Sequence, residues 1–163
     1  MFSIFKIFKK KKIVPHIRLS GVIGSVGKFK QGLNFDSQQA IIEKAFSTKK
    51  ALAIAISINS PGGSPVQSHL IYSYIRKQAK KNKKRVLVFA EDVAASGGYL
   101  IACAGDEIYA NSSSIVGSIG VIYAAFGLQD LIKKAGIQRR IYTAGKNKST
   151  LDPFVEEKKE DID

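Results

Sequence analysis

Cysteine is almost missing from this chain of 163 residues. Cys103 stands alone, which excludes an intrachain disulfide and a cysteine-based zinc site, and fits a reducing compartment. It lies in the apolar run LIACAG and reads as a small buried hydrophobe. Histidine is scarce too: His16 lies near the basic N-terminus, His69 sits on an amphipathic stretch, and none occurs after residue 96. Acids are outnumbered, 13 against 26 lysines and arginines, for a formal net charge of +13. That excess raises nucleic acid or anionic lipid as partners, with a solvated lysine-rich surface as the ordinary alternative. No apolar run reaches bilayer-spanning length without charges. Internal repeats and low-complexity linkers are missing as well.

What is present is a core. Hydrophobic residues make up 45% of the chain, enough for one domain of this length. The N-terminal MFSIFKIFKKKK is too short to span a membrane, and its charges follow the apolar part instead of preceding it. Residues 1–15 therefore read as a basic-aromatic tail, either disordered or in peripheral contact with a membrane. A second basic cluster, Lys77 to Arg85, surrounds one helix end.

Beyond Pro15 strands and helices alternate. HIRLSGVIGS predicts a strand, and Asp36 or Ser37 caps a helix with Ala40, Ile41, Ala45 and Phe46 on one face. ALAIAISI is an unbroken apolar run, expected for a strand covered on both faces. After Pro65 a helix carries Val66, Leu70, Ile71, Tyr74, Ile75 and Ala79 at helical spacing. RVLVFA predicts a buried strand over 85–90, SGGYLIACAG a short helix and DEIYA a strand. SSSIVGSIGVIYAAFG predicts a turn and a strand, LQDLIKKAG a helix stopped by Gly136, and IQRRIYT a last strand. PFVEEKKEDID looks like a helix begun and cut short. The alternation argues an α/β fold with a largely parallel sheet.

Ligands of such sheets gather outside the carboxyl ends of the strands. Two glycine pairs fall at such ends: Gly62-Gly63 after ALAIAISI and Gly97-Gly98 after RVLVFA. Bare amides there let an oxyanion approach without a Cβ in the way. Ser96 precedes the second pair, at a position resembling a nucleophile elbow. A serine in a turn is usually only a turn former, so it needs a base. A Ser-His-Asp triad would require His69 to reach over from its helix. A lysine can serve instead if burial lowers its pKa, and TAGKNKSTLDPF offers Lys146 and Lys148.

INSPGGSP, EDVAASGGYLIACAGDEIYA, SIVGSIGV and TAGKNKSTLDPF, in this order, resemble the signal peptide peptidase A family of serine peptidases. The resemblance runs from about Ile17 to Pro153 and implies a Clp protease/crotonase-like fold of repeated β-β-α units, a largely parallel sheet flanked by helices. It implies Ser96 as nucleophile and Lys148 as general base, with Lys146 a neighbour. Ser118 would orient the lysine amine, and the oxyanion would be met by the N–H groups of Gly63 and Gly97. No metal or cofactor is implied. The Clp protease branch uses a histidine downstream of its serine, where this chain reads GSIGVIYAA, and the crotonases lack the nucleophile. Relatives commonly carry an N-terminal transmembrane helix and continue well past the lysine block, whereas this chain has a basic stub and stops soon after Lys148.

The expected protein is thus a serine endopeptidase acting on leader peptides or other small or unfolded polypeptides. Residues 16–163 would form its peptidase domain, truncated at the C-terminus. The expected partners are peptide substrates, further copies of the chain in a homo-oligomer and, through the basic N-terminus, a membrane. No nucleic acid is expected, since a nucleic-acid module leaves both glycine pairs unexplained. The expected location is the cytoplasm, at the inner face of the membrane. The rival reading is a catalytically impaired truncated homologue that serves as an oligomerising scaffold.

Overall fold

The computed structural model describes residues 12–24, 32–120, 122, 124–144, 149–156 and 159. The chain divides into two compact units, Met1–Gly120 and Val121–Asp163. The first unit carries a five-stranded, all-parallel sheet in which β1 (His16–Ser20), β2 (Ala53–Ser60), β3 (Arg85–Ala95) and β4 (Glu107–Ala110) lie in that spatial order. β5 (Ile115–Gly117) pairs with β3 beyond β4. Three helices join the strands: α1 (Phe35–Ser47), α2 (Pro65–Asn82) and α3 (Gly97–Ala102). The predicted α/β class with a parallel sheet is what the chain forms.

The helices cover one face of the sheet. Ile17 and Leu19 of β1, Ile54, Ile56 and Ile58 of β2, and Val86 and Val88 of β3 are buried in one cluster with Ile42, Phe46, Ile71, Ile75 and Ile101 from the helices. Burying a side chain the size of Phe46 stabilises by about 1.5–3 kcal/mol. On the opposite face Arg18, Phe89 and Tyr109 are exposed while Ser57 is buried, and the Phe89 and Tyr109 rings stack there at 5.2 Å. ALAIAISI was expected to be covered on both faces; it is lined by isoleucines on the helix side and by Ala55, Ser57 and Asn59 on the other.

Several boundaries differ from expectation. The α1 cap is Asn34, whose side chain accepts the Ser37 N–H at 2.9 Å. The α1 core face is Ile42, Ala45 and Phe46, with Ile41 49% exposed. On α2 the inward stripe is Ser68, Ile71, Ile75 and Ala79, while Val66 and Leu70 face outward. Two serines, Ser68 of α2 and Ser60 of β2, are fully buried, so hydrophobicity alone misplaced the stripe. Cys103 is exposed, because α3 turns only its Gly97-Gly98 and Ile101-Ala102 side inward.

In the second unit α4 spans Gln129–Lys134 and ends where Gly136 takes φ 67, with the Ile137 N–H returning to the Ile132 carbonyl at 2.9 Å. The predicted strand over IQRRIYT does not form. Residues 137–143 are exposed and have no strand partner among the described residues to receive their backbone groups. Turns occupy 149–151 and 153–154, and most of the segment after Glu156, where a helix was expected to continue, lies outside the described residues. Arg139 pairs with Asp152 at 2.7 Å and lies over the Phe154 ring.

Candidate active site

The site is assembled at the carboxyl ends of β2 and β3. β2 stops at Pro61, and Gly62 and Gly63 then take φ 99 and 144, values an L side chain rarely adopts. The Ser60 hydroxyl accepts the Gly62 N–H at 3.1 Å and fixes the start of this turn. The segment leaving β1 fixes its end: Ile23 N–H donates to Gly62 O at 2.8 Å, and Ser64 N–H to Ile23 O at 2.9 Å. Ser64 then caps α2 with Pro65 in the first turn.

β3 runs on past the expected end at Ala90, and the reason is a bulge. Ile58 pairs with Ala90 but Ser60 with Ala94, so β3 holds extra residues between the two. Asn59 fills the gap with its side chain, its amide donating to Asp92 at 2.9 Å and its carbonyl accepting the Val93 N–H at 3.2 Å. Ser114 donates to Glu91 O at 2.6 Å from the far side. Glu91 also reaches across β2 to Arg18, at 2.7 and 2.9 Å. That paired hydrogen bond draws the Glu91 carboxyl down to about 2. Bulges beside a site bend the strand and re-aim the residues just beyond them. The residue re-aimed in this way is Ser96.

Ser96 sits at φ 52, ψ −120 between β3 and α3. A non-glycine residue in this region costs on the order of 1–3 kcal/mol. It is held there from both sides: its N–H donates to Gly117 O at 2.7 Å, and its carbonyl accepts the Leu100 N–H at 2.9 Å. The two glycine turns pack directly on one another. A methyl built on Gly62 would stand 2.8 Å from the Ser96 Cβ and 2.9 Å from the Gly97 nitrogen. Below them, a methyl on Gly97 would meet the Ser68 hydroxyl at 2.2 Å, and one on Gly98 the Ser60 carbonyl at 2.6 Å. The N–H groups of Gly63 and Gly97 have no acceptor among the described residues.

Ser118 follows Gly117, so the β3–β5 pairing brings its backbone beside the Ser96 turn. It is exposed and shares the positive φ of Ser96, 52. Lys146 and Lys148 lie outside the described residues. Neither histidine hydrogen-bonds Ser96: His16 Nε2 lies 2.9 Å from the Ser57 hydroxyl, and exposed His69 lies 3.5 Å from the Ser73 hydroxyl. Sequence reasoning missed Ile23, Asn59, Ser60 and Ser68. For Asn59, Ser60 and Ser68 the hint was a polar residue in or beside an otherwise apolar run; Ile23 carried none.

A strained serine on a strand-to-helix corner, walled by a second glycine turn, is a presentation suited to nucleophilic attack on a carbonyl. The sequence profile of peptidase family S49 matches residues 78–162, which include this corner. The chain belongs to peptidase family S49. Among curated proteins, this S49 chain is 37% identical over 130 residues to the chloroplastic serine protease SPPA of Arabidopsis thaliana, covering 76% of this chain and 19% of that one. It is 60% identical over 151 residues to a protein of Brucella melitensis named Na+/H+ antiporter NhaA, covering 92% of this chain and 20% of that one. The chain thus spans about a fifth of either relative. The antiporter name describes a protein of which the match takes in 20%, and ion transport does not enter the reading of this chain. A solved structure of the 1510-N membrane-bound stomatin-specific protease, a serine-to-alanine mutant, superposes with a TM-score of 0.56 at 21% identity, covering 79% of this chain and 67% of that one. That likeness concerns the fold.

Proposed function

We propose that this chain carries the nucleophile and oxyanion site of a serine endopeptidase working through a serine-lysine dyad. The observation that supports it most is Ser96, held at a strained φ of 52 with the Gly62-Gly63 turn against it. In this reading the Ser96 oxygen attacks the peptide carbonyl carbon while the neutral Lys148 amine takes the hydroxyl proton. The Gly63 and Gly97 N–H groups receive the oxyanion. Collapse of the tetrahedral intermediate breaks the C–N bond, and the Lys148 ammonium returns its proton to the leaving amine. Water then attacks the acyl-serine carbonyl, giving a proton to Lys148; the ester C–O bond breaks, the carboxyl product leaves, and Lys148 passes the proton to the Ser96 oxygen, regenerating both residues. Ser118 orients the Lys148 amine.

The substrates in this reading are small or unfolded polypeptides, leader peptides among them. The working form is a homo-oligomer: Ile115 and Val116 of β5 and the following Ile119 are 64%, 46% and 80% exposed, an apolar run that its own unit leaves uncovered. The test is covalent labelling by a fluorophosphonate probe, on wild type, Ser96→Ala and Lys148→Ala, beside hydrolysis of an unstructured peptide. Labelling of wild type alone supports the dyad. Equal labelling of Ser96→Ala sinks the assignment, and a wild type that neither labels nor hydrolyses at any concentration favours the scaffold.

A further inference from the structure

We propose that the end of the sheet opposite Ser96 is a docking surface for an anionic lipid bilayer. All strands of a parallel sheet begin at one end, and here the chain reaches three of those beginnings through lysines. Lys12 precedes Ile13 and β1, Lys49 and Lys50 occupy the turn between α1 and β2, and Lys80, Lys81 and Lys83 close α2 before β3; all six are exposed. The three segments form one surface because the fold ties them together. Lys84 Nζ donates to Phe46 O at 2.7 Å and Thr48 O at 2.6 Å, joining the end of α2 to the end of α1. Leu52 N–H donates to Ile13 O at 3.1 Å, joining the exit of α1 to the approach to β1. Lys84 is thereby used internally, and its six neighbours point their charge outward. The nearby carboxylates Asp106 and Glu107 are already paired with Arg76 and Arg85, and Glu43 stands a turn back on α1.

The apolar residues of the surface select the partner. Ile13, Val14 and Leu52 are 40%, 50% and 59% exposed among these lysines. Ammonium groups ringing aliphatic side chains match a bilayer interface, where headgroups meet the cations and the acyl boundary takes the aliphatics. A nucleic-acid surface would instead draw on arginine forks and aromatic stacking; here the arginines, Arg76 and Arg85, are paired with Asp106 and Glu107, and lysines among aliphatic side chains carry the remaining charge. β3 runs away from this surface from Arg85 to Ala95; at roughly 3.3 Å per residue Ser96 lies about 30 Å from it. A docked molecule therefore turns Ser96 away from the bilayer, and about 30 Å exceeds the Debye length at physiological salt severalfold.

The test is sedimentation of the full chain with phosphatidylcholine vesicles, with and without phosphatidylglycerol. Wild type should bind only the anionic vesicles, and less so as salt rises. The triple variant Lys49→Glu, Lys80→Glu, Lys81→Glu should lose at least about a hundredfold in partitioning. The same three positions changed to Arg should retain binding, which separates charge from fold. Leu52→Ser, with every charge kept, should lose several-fold. Fluorophosphonate labelling of Ser96 in the Glu variant should equal wild type. Failure of wild type to bind anionic vesicles, or binding undiminished in the Glu variant, overturns the proposal. So does a Glu variant that loses affinity for duplex DNA while keeping its affinity for vesicles.

Discussion

Gly62 lies against Ser96 with no room for a side chain: a methyl on Gly62 would stand 2.8 Å from the Ser96 Cβ and 2.9 Å from the Ala95 carbonyl. The two turns are far apart in sequence and are brought together because β2 and β3 are neighbours in the sheet. Each turn is therefore a wall of the other.

Gly62→Ala should accordingly be damaging twice over, through its φ of 99 and through the clash with Ser96 and Gly97. We expect at least about 2 kcal/mol of lost stability in urea denaturation, together with loss of probe labelling. Gly117→Ala is the comparison: its φ is 104 but nothing lies within 4 Å of the added methyl. It should show the conformational cost alone, about 1–2 kcal/mol. Equal losses for the two variants would contradict the packing of Gly62 on Ser96.

Gly97→Ala should be rescued in part by a change on α2. The added methyl would meet the Ser68 hydroxyl at 2.2 Å and the Ser68 Cβ at 3.2 Å. Removing that side chain in Gly97→Ala/Ser68→Gly should recover stability relative to Gly97→Ala. A favourable coupling of roughly 1 kcal/mol or more is expected from a double-mutant cycle. Strict additivity would mean that the clash is relieved elsewhere.

Hydrolysis should rise on the alkaline side of neutral if Lys148 must shed its proton to act. Lys148→Ala should be as inactive as Ser96→Ala, with the double variant no worse, because the two would work as a unit. Lys146→Ala should be mild. A rate that is flat or falling above neutral pH, or an essential Lys146, contradicts the assignment.

Acid should loosen the β3 bulge. The Arg18 hydrogen bonds hold the Glu91 carboxyl near 2, below its ordinary 4.5. A depressed folded-state value means stability that is full above the ordinary carboxylate range and lost as pH falls toward 2. Asp106 is shifted the same way, first by the Val86 N–H and then by Arg76. Thermal melts of Glu91→Gln across this window should depend less on pH than those of wild type. Identical slopes would show that the Arg18 pair contributes no linkage.

The order of strands and helices from β1 to α3, the two glycine turns at strand ends and Ser96 as the residue to suspect were all legible in the amino-acid sequence. These are local matters: apolar periodicity, proline at a first helical turn, and glycine where φ must be positive all act over a few neighbouring residues. Other features exist only once distant segments pack. Asn59 reads as one more polar residue until β3 lies beside it and needs its amide to bridge a bulge. Ser60 and Ser68 look like surface serines, yet they are buried because two glycine turns press onto them and leave space for nothing larger. IQRRIYT has the alternation of a strand but no partner among the described residues to take its hydrogen bonds, and so stays irregular. The meeting of the lysine clusters at one end of the sheet was invisible as well, since the clusters lie far apart along the chain and converge only when parallel strands all start at the same end.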